Sequence, residues 1–213
     1  MAEKKDGPDL DAAYALETPE DNVRLYADWA DTYDSGFAVQ MDYILPQQVA
    51  GVFARCYAGK GPVLDVGAGT GLVAEALGSG LVIDALDISA EMLAMAREKR
   101  LYRDCFEGDL TAGLELPAGA YDAVISSGTF THGHLGPDAI DPLLAVAAPG
   151  ALFVLSVNDA HYEGQGFAAK MAALGGRITG LRHEIVDIYG AGADPAHAQD
   201  KARVLVFRVR DIS

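Results

Sequence analysis

One nonapeptide constrains this chain more than any other segment: Val63-Leu64-Asp65-Val66-Gly67-Ala68-Gly69-Thr70-Gly71. An apolar run carries an acid and ends in three glycines at alternate positions. Leu72-Val73-Ala74-Glu75-Ala76-Leu77 then reads as helix. A strand, a tight turn and a helix start form a pocket for a nucleotide-like ligand, because glycine lets the backbone turn sharply and approach the ligand closely. The dinucleotide fingerprint G-x-G-x-x-G would need a further glycine at position 72, which is Leu72. Here the third glycine falls one residue early, and Asp65 stands just ahead of the first. The spacing turns away from a pyrophosphate site.

Upstream, Thr18-Pro19-Glu20-Asp21 signals a helix start, with Thr18 as cap and Pro19 in the first turn. Val23, Tyr26, Ala30 and Tyr33 follow at helical spacing, with Leu25 and Trp29 alongside, so this helix has an aromatic face. A second helix carries Leu45, Val49, Val52, Phe53 and Cys56 on one stripe, with Pro46 in its first turn. After Gly61-Pro62 strands and helices alternate. Strands are predicted at Pro62 to Val66, Leu81 to Asp87, Tyr102 to Phe106, Tyr121 to Ser126 and Ala151 to Val157. Helices are predicted from Ser89, near Asp138 to Ala147, and as one piece near Glu163 to Leu174. Two last strands, Arg177 to Tyr189 and Ala202 to Arg210, have no helix between them and should pair as an antiparallel hairpin. Repeated β-α-β units imply an α/β, doubly wound, mostly parallel sheet. Residues 1–17 read as a mobile tail and 18–213 as one domain, divided into N-terminal helices (18–60) and a Rossmann-like core (61–213).

Composition narrows the ligand. The chain has 213 residues, enough for one substantial core, and a formal net charge of −15. Such a surface repels nucleic acid, and no Lys/Arg cluster offsets it. Arg97 with Lys99-Arg100 reads as the end of a helix. A small or a basic substrate is favoured, although the charge also serves plain solubility. No apolar run has the length of a membrane span, and the first residues lack a signal-peptide pattern, so a cytoplasmic protein is expected. Cys56 and Cys105 sit among apolar neighbours and are expected as buried free thiols.

Ligands in such sheets bind beyond the carboxyl ends of the strands. The glycine turn, Asp87, Asp109 and Ser126-Ser127-Gly128 all fall at such ends. Amides of Gly67, Gly69 and Gly71, with the helix start, could hold a ligand carboxylate. Asp87 can accept hydrogen bonds from ribose hydroxyls, or cap the next helix in competition with Ser89. Ile88 could face an adenine ring or the core. Asp109 could accept from an adenine amino group while the Leu110 amide donates to the ring; an Asx turn is the alternative. Ser126 and Ser127 end the fourth predicted strand, beside the place where methyl donor and acceptor would meet. The early glycine and leading acid point to S-adenosylmethionine. His132 and His134, in Thr131-His132-Gly133-His134, are the only acid–base candidates, and a loop-fixing role is the alternative. Two histidines lack a third ligand, so no metal is expected. His161, His183 and His197 are assigned no role.

The whole pattern resembles the class I, seven-stranded S-adenosylmethionine-dependent methyltransferases. Val63 to Gly71 resembles that family's first motif, Leu86 to Leu93 the second, and Gly108-Asp109-Leu110 the third. Tyr121 to Ser126 resembles the fourth strand, and Ala148 to Leu152 the turn into the fifth. Tyr26 to Asp34 and Gly128 to Pro137 resemble a narrower group, the methyltransferase-like proteins of the Williams–Beuren syndrome region and their bacterial relatives. The resemblance implies a seven-stranded sheet and a cofactor site at Tyr33, Asp65, Gly67, Ala68, Gly69, Gly71, Asp87, Ile88, Met92, Gly108, Asp109, Leu110 and Ser126. It also implies that residues 18–60 act as a lid whose aromatic residues, Tyr33 first, approach a sulfonium; packing in the core is the alternative reading of that stripe. An aromatic face stabilises such a cation by up to about 2 kcal/mol. The expected reaction is in-line methyl transfer to a small molecule with S-adenosylhomocysteine leaving, carried out by a monomer or homodimer. Three other readings stay open: a non-catalytic cofactor-binding protein, a nicotinamide oxidoreductase, and an aminopropyl transferase for which Asp122 and Asp138 would be the extra acids.

Overall fold

The computed structural model describes residues 19–131 and 134–211. The expected tail, the Thr18 cap and His132 therefore lie outside the described residues. Helix α1 (Pro19–Trp29) runs into a 3-10 turn (Ala30–Thr32) and a π-helical segment (Tyr33–Ala38). Then come α2 (Leu45–Cys56), β1 (Val63–Val66), α3 (Leu72–Leu77), β2 (Ile83–Asp87), α4 (Ala90–Glu98) and β3 (Cys105–Glu107). Next are β4 (Tyr121–Phe130), α5 (Ile140–Val146), β5 (Ala147–Asn158), α6 (Asp159–Gly164), α7 (Phe167–Ala173), β6 (Ile178–Asp187) and β7 (Lys201–Val209).

The seven strands form one sheet in the order β3-β2-β1-β4-β5-β7-β6. β1 pairs in parallel with both β2 and β4, and β7 alone runs against the direction of the other six strands. Strand order thus reverses beside β1, and a crevice forms beyond the carboxyl ends of β1 and β4. Alternate side chains feed two cores. Leu64, Val124 and Phe153 join the face packed by α5 and α7; Val63, Ile125 and Val154 join the face packed by α2 and the π-helical segment. Phe153 stacks on Phe207 with ring centres 4.8 Å apart, locking the antiparallel end of the sheet. Asp84 is a buried acid with a structural job: Arg103 holds it through Nε at 2.9 Å and Nη2 at 2.5 Å, and the Tyr121 hydroxyl donates at 2.9 Å. Burial of that charge is tolerated because it is paired and hydrogen-bonded.

Several expected elements differ at their ends. β4 does not stop at Ser126. It continues to Phe130 through a register shift against β5, and Gly128 N–H donates to Ser156 Oγ at 3.0 Å. Pro149-Gly150 lie within the irregular start of β5 and do not form a turn before it. The single helix expected near 163–174 is two, broken where Gly166 takes a left-handed φ of 79°. β3 begins later than expected, at Cys105, although the Arg103 N–H still donates to the Ile83 carbonyl at 2.7 Å; the Tyr102 side chain reaches Asp65 and that of Arg103 reaches Asp84. Cys56 and Cys105 are free but only half-buried, at the end of α2 and in the edge strand β3.

Candidate active site

The glycine turn is built by its neighbours as much as by its own residues. Gly67 has φ of 63°, and a Cβ there would lie 2.0 Å from Thr129 Oγ1. Thr129 is held in place by donating to the Val66 carbonyl at 3.1 Å. Gly69 has φ of 54°, but a Cβ on it would meet nothing within 4 Å. Its open side belongs to a cavity of about 1140 Å³, mouth included.

The turn's amides are already committed. Gly67 and Ala68 N–H donate to the Leu86 carbonyl at 2.8 and 3.1 Å, Gly71 N–H donates to Ala68, and Gly69 N–H donates to Asp87 Oδ2 at 2.8 Å. The expectation that the amides of Gly67, Gly69 and Gly71 hold a ligand carboxylate is therefore corrected. These donors hold the turn's shape, and what the turn offers a ligand is close approach. Asp87 is fixed from both sides, since Ser89 N–H donates to Oδ1 at 2.9 Å. Burial pushes its carboxyl up, and the hydrogen bonds from Ser89, Gly69 and Ile88 pull it back. Each oxygen keeps a lone pair for a further donor. Ser89 caps α4 by accepting from Met92 N–H at 3.2 Å, so the capping role falls to Ser89 and Asp87 ties the turn to the start of the helix.

Asp109 makes the Asx turn. Its Oδ1 accepts from Thr111 N–H and Oγ1, both at 2.7 Å. It still lines the cavity, with Gly108, Leu110, Asp87, Ile88, Met92, Gly67, Ala68, Gly69 and Tyr33. Three expected residues do not. Ser126 is fully buried and donates to the Val66 carbonyl at 2.8 Å, because strand alternation turns it inward. Ser127 stands in the wall in its place, with a buried Oγ that has no hydrogen-bond partner. Gly71 lies under the Tyr102 ring, 3.1 Å from where its Cβ would be.

Asp65 is the third, fully buried behind the turn. Its Oδ2 accepts from the Tyr102 hydroxyl at 2.7 Å and its Oδ1 has no partner. Burial pushes the carboxyl up to about 7, against the lowering effect of the Tyr102 hydrogen bond. A carboxyl in the unfolded chain titrates near ~3.9. The folded value lies above it, so the stability this group contributes is full below that pH and is lost as pH rises through about 7. Tyr102→Phe is accordingly expected to cost about 1–3 kcal/mol at pH 8, where the buried carboxylate loses its donor, and less at pH 5. Denaturant melts at both pH values check this, and equal losses contradict it.

The aromatic N-terminal segment closes the cavity's outer side. Tyr26, Tyr33 and Tyr43 line it, whereas Trp29 packs behind against Phe37 at 5.9 Å. Burial pushes the Tyr33 phenol well up, so it stays neutral. Asp34 clasps this segment to the core. It accepts from Thr70 Oγ1 at 2.5 Å and pairs with Lys99 at 2.5 Å, and Lys99 also reaches Glu75 at 3.1 Å. The basic group at the end of α4 is thus a structural tie. The signal for Asp34 was available in the sequence only as an acid next to Tyr33.

His134 lines the same cavity, and its Nε2 lies 3.4 Å from the Tyr26 hydroxyl. Burial pushes its imidazole down to about 4, with His161 acting in the same direction. An unfolded histidine titrates near ~6.5. Between those values the unfolded chain binds more protons, so this group's stabilising contribution is full above about 6.5 and is lost as pH falls through about 4. Nitrogen-detected NMR should show His134 neutral from pH 8 down to about 5; a midpoint near 6.5 contradicts the burial. Asp122 and Asp138, the acids an aminopropyl transferase would use, do not line the cavity, and Asp138 pairs with Lys170 at 2.8 Å. Among the described residues no three metal-ligating side chains come together, and no helix is long and apolar enough to cross a membrane.

The strand order, with its antiparallel last strand, matches the Rossmann-like methyltransferase fold. Within it, residues 63–150 match the family model described as a methyltransferase domain. Similar solved structures include an S-adenosylmethionine-dependent methyltransferase of Thermotoga maritima, at 13% identity and a TM-score of 0.63 over 89% of this chain and 99% of that one. A TehB-like S-adenosylmethionine-dependent methyltransferase of Corynebacterium glutamicum has 16% identity and a TM-score of 0.62, over 87% and 98%. The [4+2]-cyclase SpnF has 17% identity and a TM-score of 0.64, over 93% and 98%. At such identities the likeness shows the fold. No curated protein matches the sequence.

Proposed function

We propose that this chain is an S-adenosylmethionine-dependent methyltransferase that moves a methyl group to a small-molecule acceptor by in-line displacement. One observation carries the reading: Asp87 and Asp109, at the ends of β2 and β3, flank one slot that opens onto the bare face of Gly69 beneath a tyrosine cover. The slot fits the cofactor's chemistry. Asp87 has lone pairs left for a ribose diol, Ile88, Met92 and Leu110 supply apolar faces for a purine, and Asp109 with Leu110 N–H offers an acceptor and a donor for its edge. Ser127 lines the same wall, with its Oγ buried and without a hydrogen-bond partner.

When bound, the cofactor supplies a methyl group already activated on a sulfonium. The chain's own task is to exclude water and align the reactants, which is where most of the acceleration in such a transfer lies. Tyr33 and Tyr26 give the sulfonium aromatic faces in a desolvated setting. His134, neutral at working pH and beside the Tyr26 hydroxyl, positions the acceptor more readily than it removes a proton.

The test is transfer of labelled methyl from S-adenosylmethionine to a small-molecule cell extract. Label is expected in a low-molecular-weight product and absent from nucleic acid. Tight cofactor binding with no transfer to any fraction would favour a cofactor-binding protein that does not methylate.

A further inference from the structure

Behind the tyrosine cover lies a second chamber of about 530 Å³, mouth included. It shares Tyr26, Tyr33, Tyr43, Gly128 and His134 with the cofactor cavity, so the two meet across one wall. Its aromatic lining is continuous: ring centres are 5.1 Å apart from Tyr33 to Phe37, 5.6 Å from Phe37 to Tyr43 and 5.8 Å from Tyr43 to Tyr189. No Asp, Glu, Lys or Arg side chain lines it among the described residues. Ser156 Oγ accepts from Gly128, and the Asn158 side-chain oxygen accepts from Ala160 and His161, so both already serve the fold.

This lining selects by charge and by proton. An anionic acceptor would be desolvated with no cation to meet it. An acceptor that must first shed a proton needs a base, and the imidazole that lines the chamber among the described residues is His134, whose burial makes it a weak one. An uncharged ring nitrogen needs neither. Its lone pair is in place, and the positive charge it gains would meet aromatic faces, which stabilise cations.

We propose that this chamber is the acceptor subsite and that it takes flat, uncharged nitrogen heteroaromatics, methylated on the ring nitrogen. The inference rests on the methyl-donor reading above. The acceptor's lone pair forms the new nitrogen–carbon bond, the carbon–sulfur bond breaks with its electron pair going to sulfur, and the positive charge passes from sulfur to nitrogen. No proton moves and no further reactant is needed.

Four probes of one shape test it: isoquinoline, N-methylisoquinolinium, 2-naphthol and 2-naphthoate. Calorimetry on the full chain loaded with S-adenosylhomocysteine should show N-methylisoquinolinium binding at least about ten-fold tighter than 2-naphthoate. Tyr189 lines the chamber but not the cofactor cavity. Tyr189→Leu should therefore weaken N-methylisoquinolinium about ten-fold and leave S-adenosylhomocysteine affinity unchanged, while Tyr189→Phe, which keeps the ring face, should bind both as the parent does. With S-adenosylmethionine, isoquinoline should be converted to its N-methyl cation and 2-naphthol left untouched. The proposal is overturned if N-methylisoquinolinium does not bind the loaded protein, if 2-naphthoate binds as tightly, or if 2-naphthol is methylated in preference. Failure of S-adenosylhomocysteine itself to bind would instead overturn the methyl-donor reading.

Discussion

Gly67→Ala is expected to abolish S-adenosylhomocysteine binding and to lower folding stability by about 2–5 kcal/mol, combining left-handed strain with an overpacked contact. The new Cβ would fall 2.0 Å from Thr129 Oγ1, and the backbone φ of 63° is one that alanine adopts at a cost. Thr129 cannot swing away freely, because it donates to the Val66 carbonyl. The strand end and the turn must separate, and the turn forms the cavity floor. A domain's whole stability is only about 5–15 kcal/mol, so the loss should be visible as a lower denaturant midpoint. Gly69→Ala is the control. Its Cβ would meet open cavity. It should lose ligand affinity at a folding cost of only about 1–2 kcal/mol. Equal stability losses in the two variants would contradict the division of labour between these glycines.

Asp87→Ala is expected to weaken S-adenosylhomocysteine binding at least about 100-fold, a loss of about 2.7 kcal/mol, as charged hydrogen bonds are the strong ones. The carboxylate does two things at once. It accepts from Gly69 and Ser89 N–H, which sets the spacing between turn and helix α4, and it retains lone pairs for the ligand. Asp87→Asn preserves one acceptor oxygen and should fall between the two. Unchanged affinity in Asp87→Ala, measured by calorimetry, would remove this residue from the site.

The glycine turn, the acid at the end of β2 and the alternation of strands and helices were legible in sequence because each is local. A left-handed turn demands glycine, a strand demands a run of apolar residues, and a helix start demands a cap. Ser89 is such a case: its capping bond to Met92 N–H depends only on four consecutive residues. What sequence could not show depends on partners far away. Ser126 and Ser127 are equally polar, and only the pairing of β4 with its neighbours decides which faces the cavity. Asp65 reads as a ligand-binding acid by its position, yet the Tyr102 side chain, 37 residues on, claims it. The turn's amides looked available until Leu86 and Asp87 were placed across from them. Asp34 showed in sequence only as an acid beside Tyr33, since its partners Thr70 and Lys99 are brought to it by the fold.

Those corrections move the donors away from the ligand and leave the slot between Asp87 and Asp109 as the centre of the account. Leu72, at the place where a dinucleotide turn needs glycine for close helix–strand packing, carries a side chain and lines that same cavity. The most direct measurement is calorimetric titration of the full chain with S-adenosylhomocysteine and, separately, with NADH. The account predicts saturable one-to-one binding of S-adenosylhomocysteine and none of NADH. Tight binding of NADH with no binding of S-adenosylhomocysteine would contradict it.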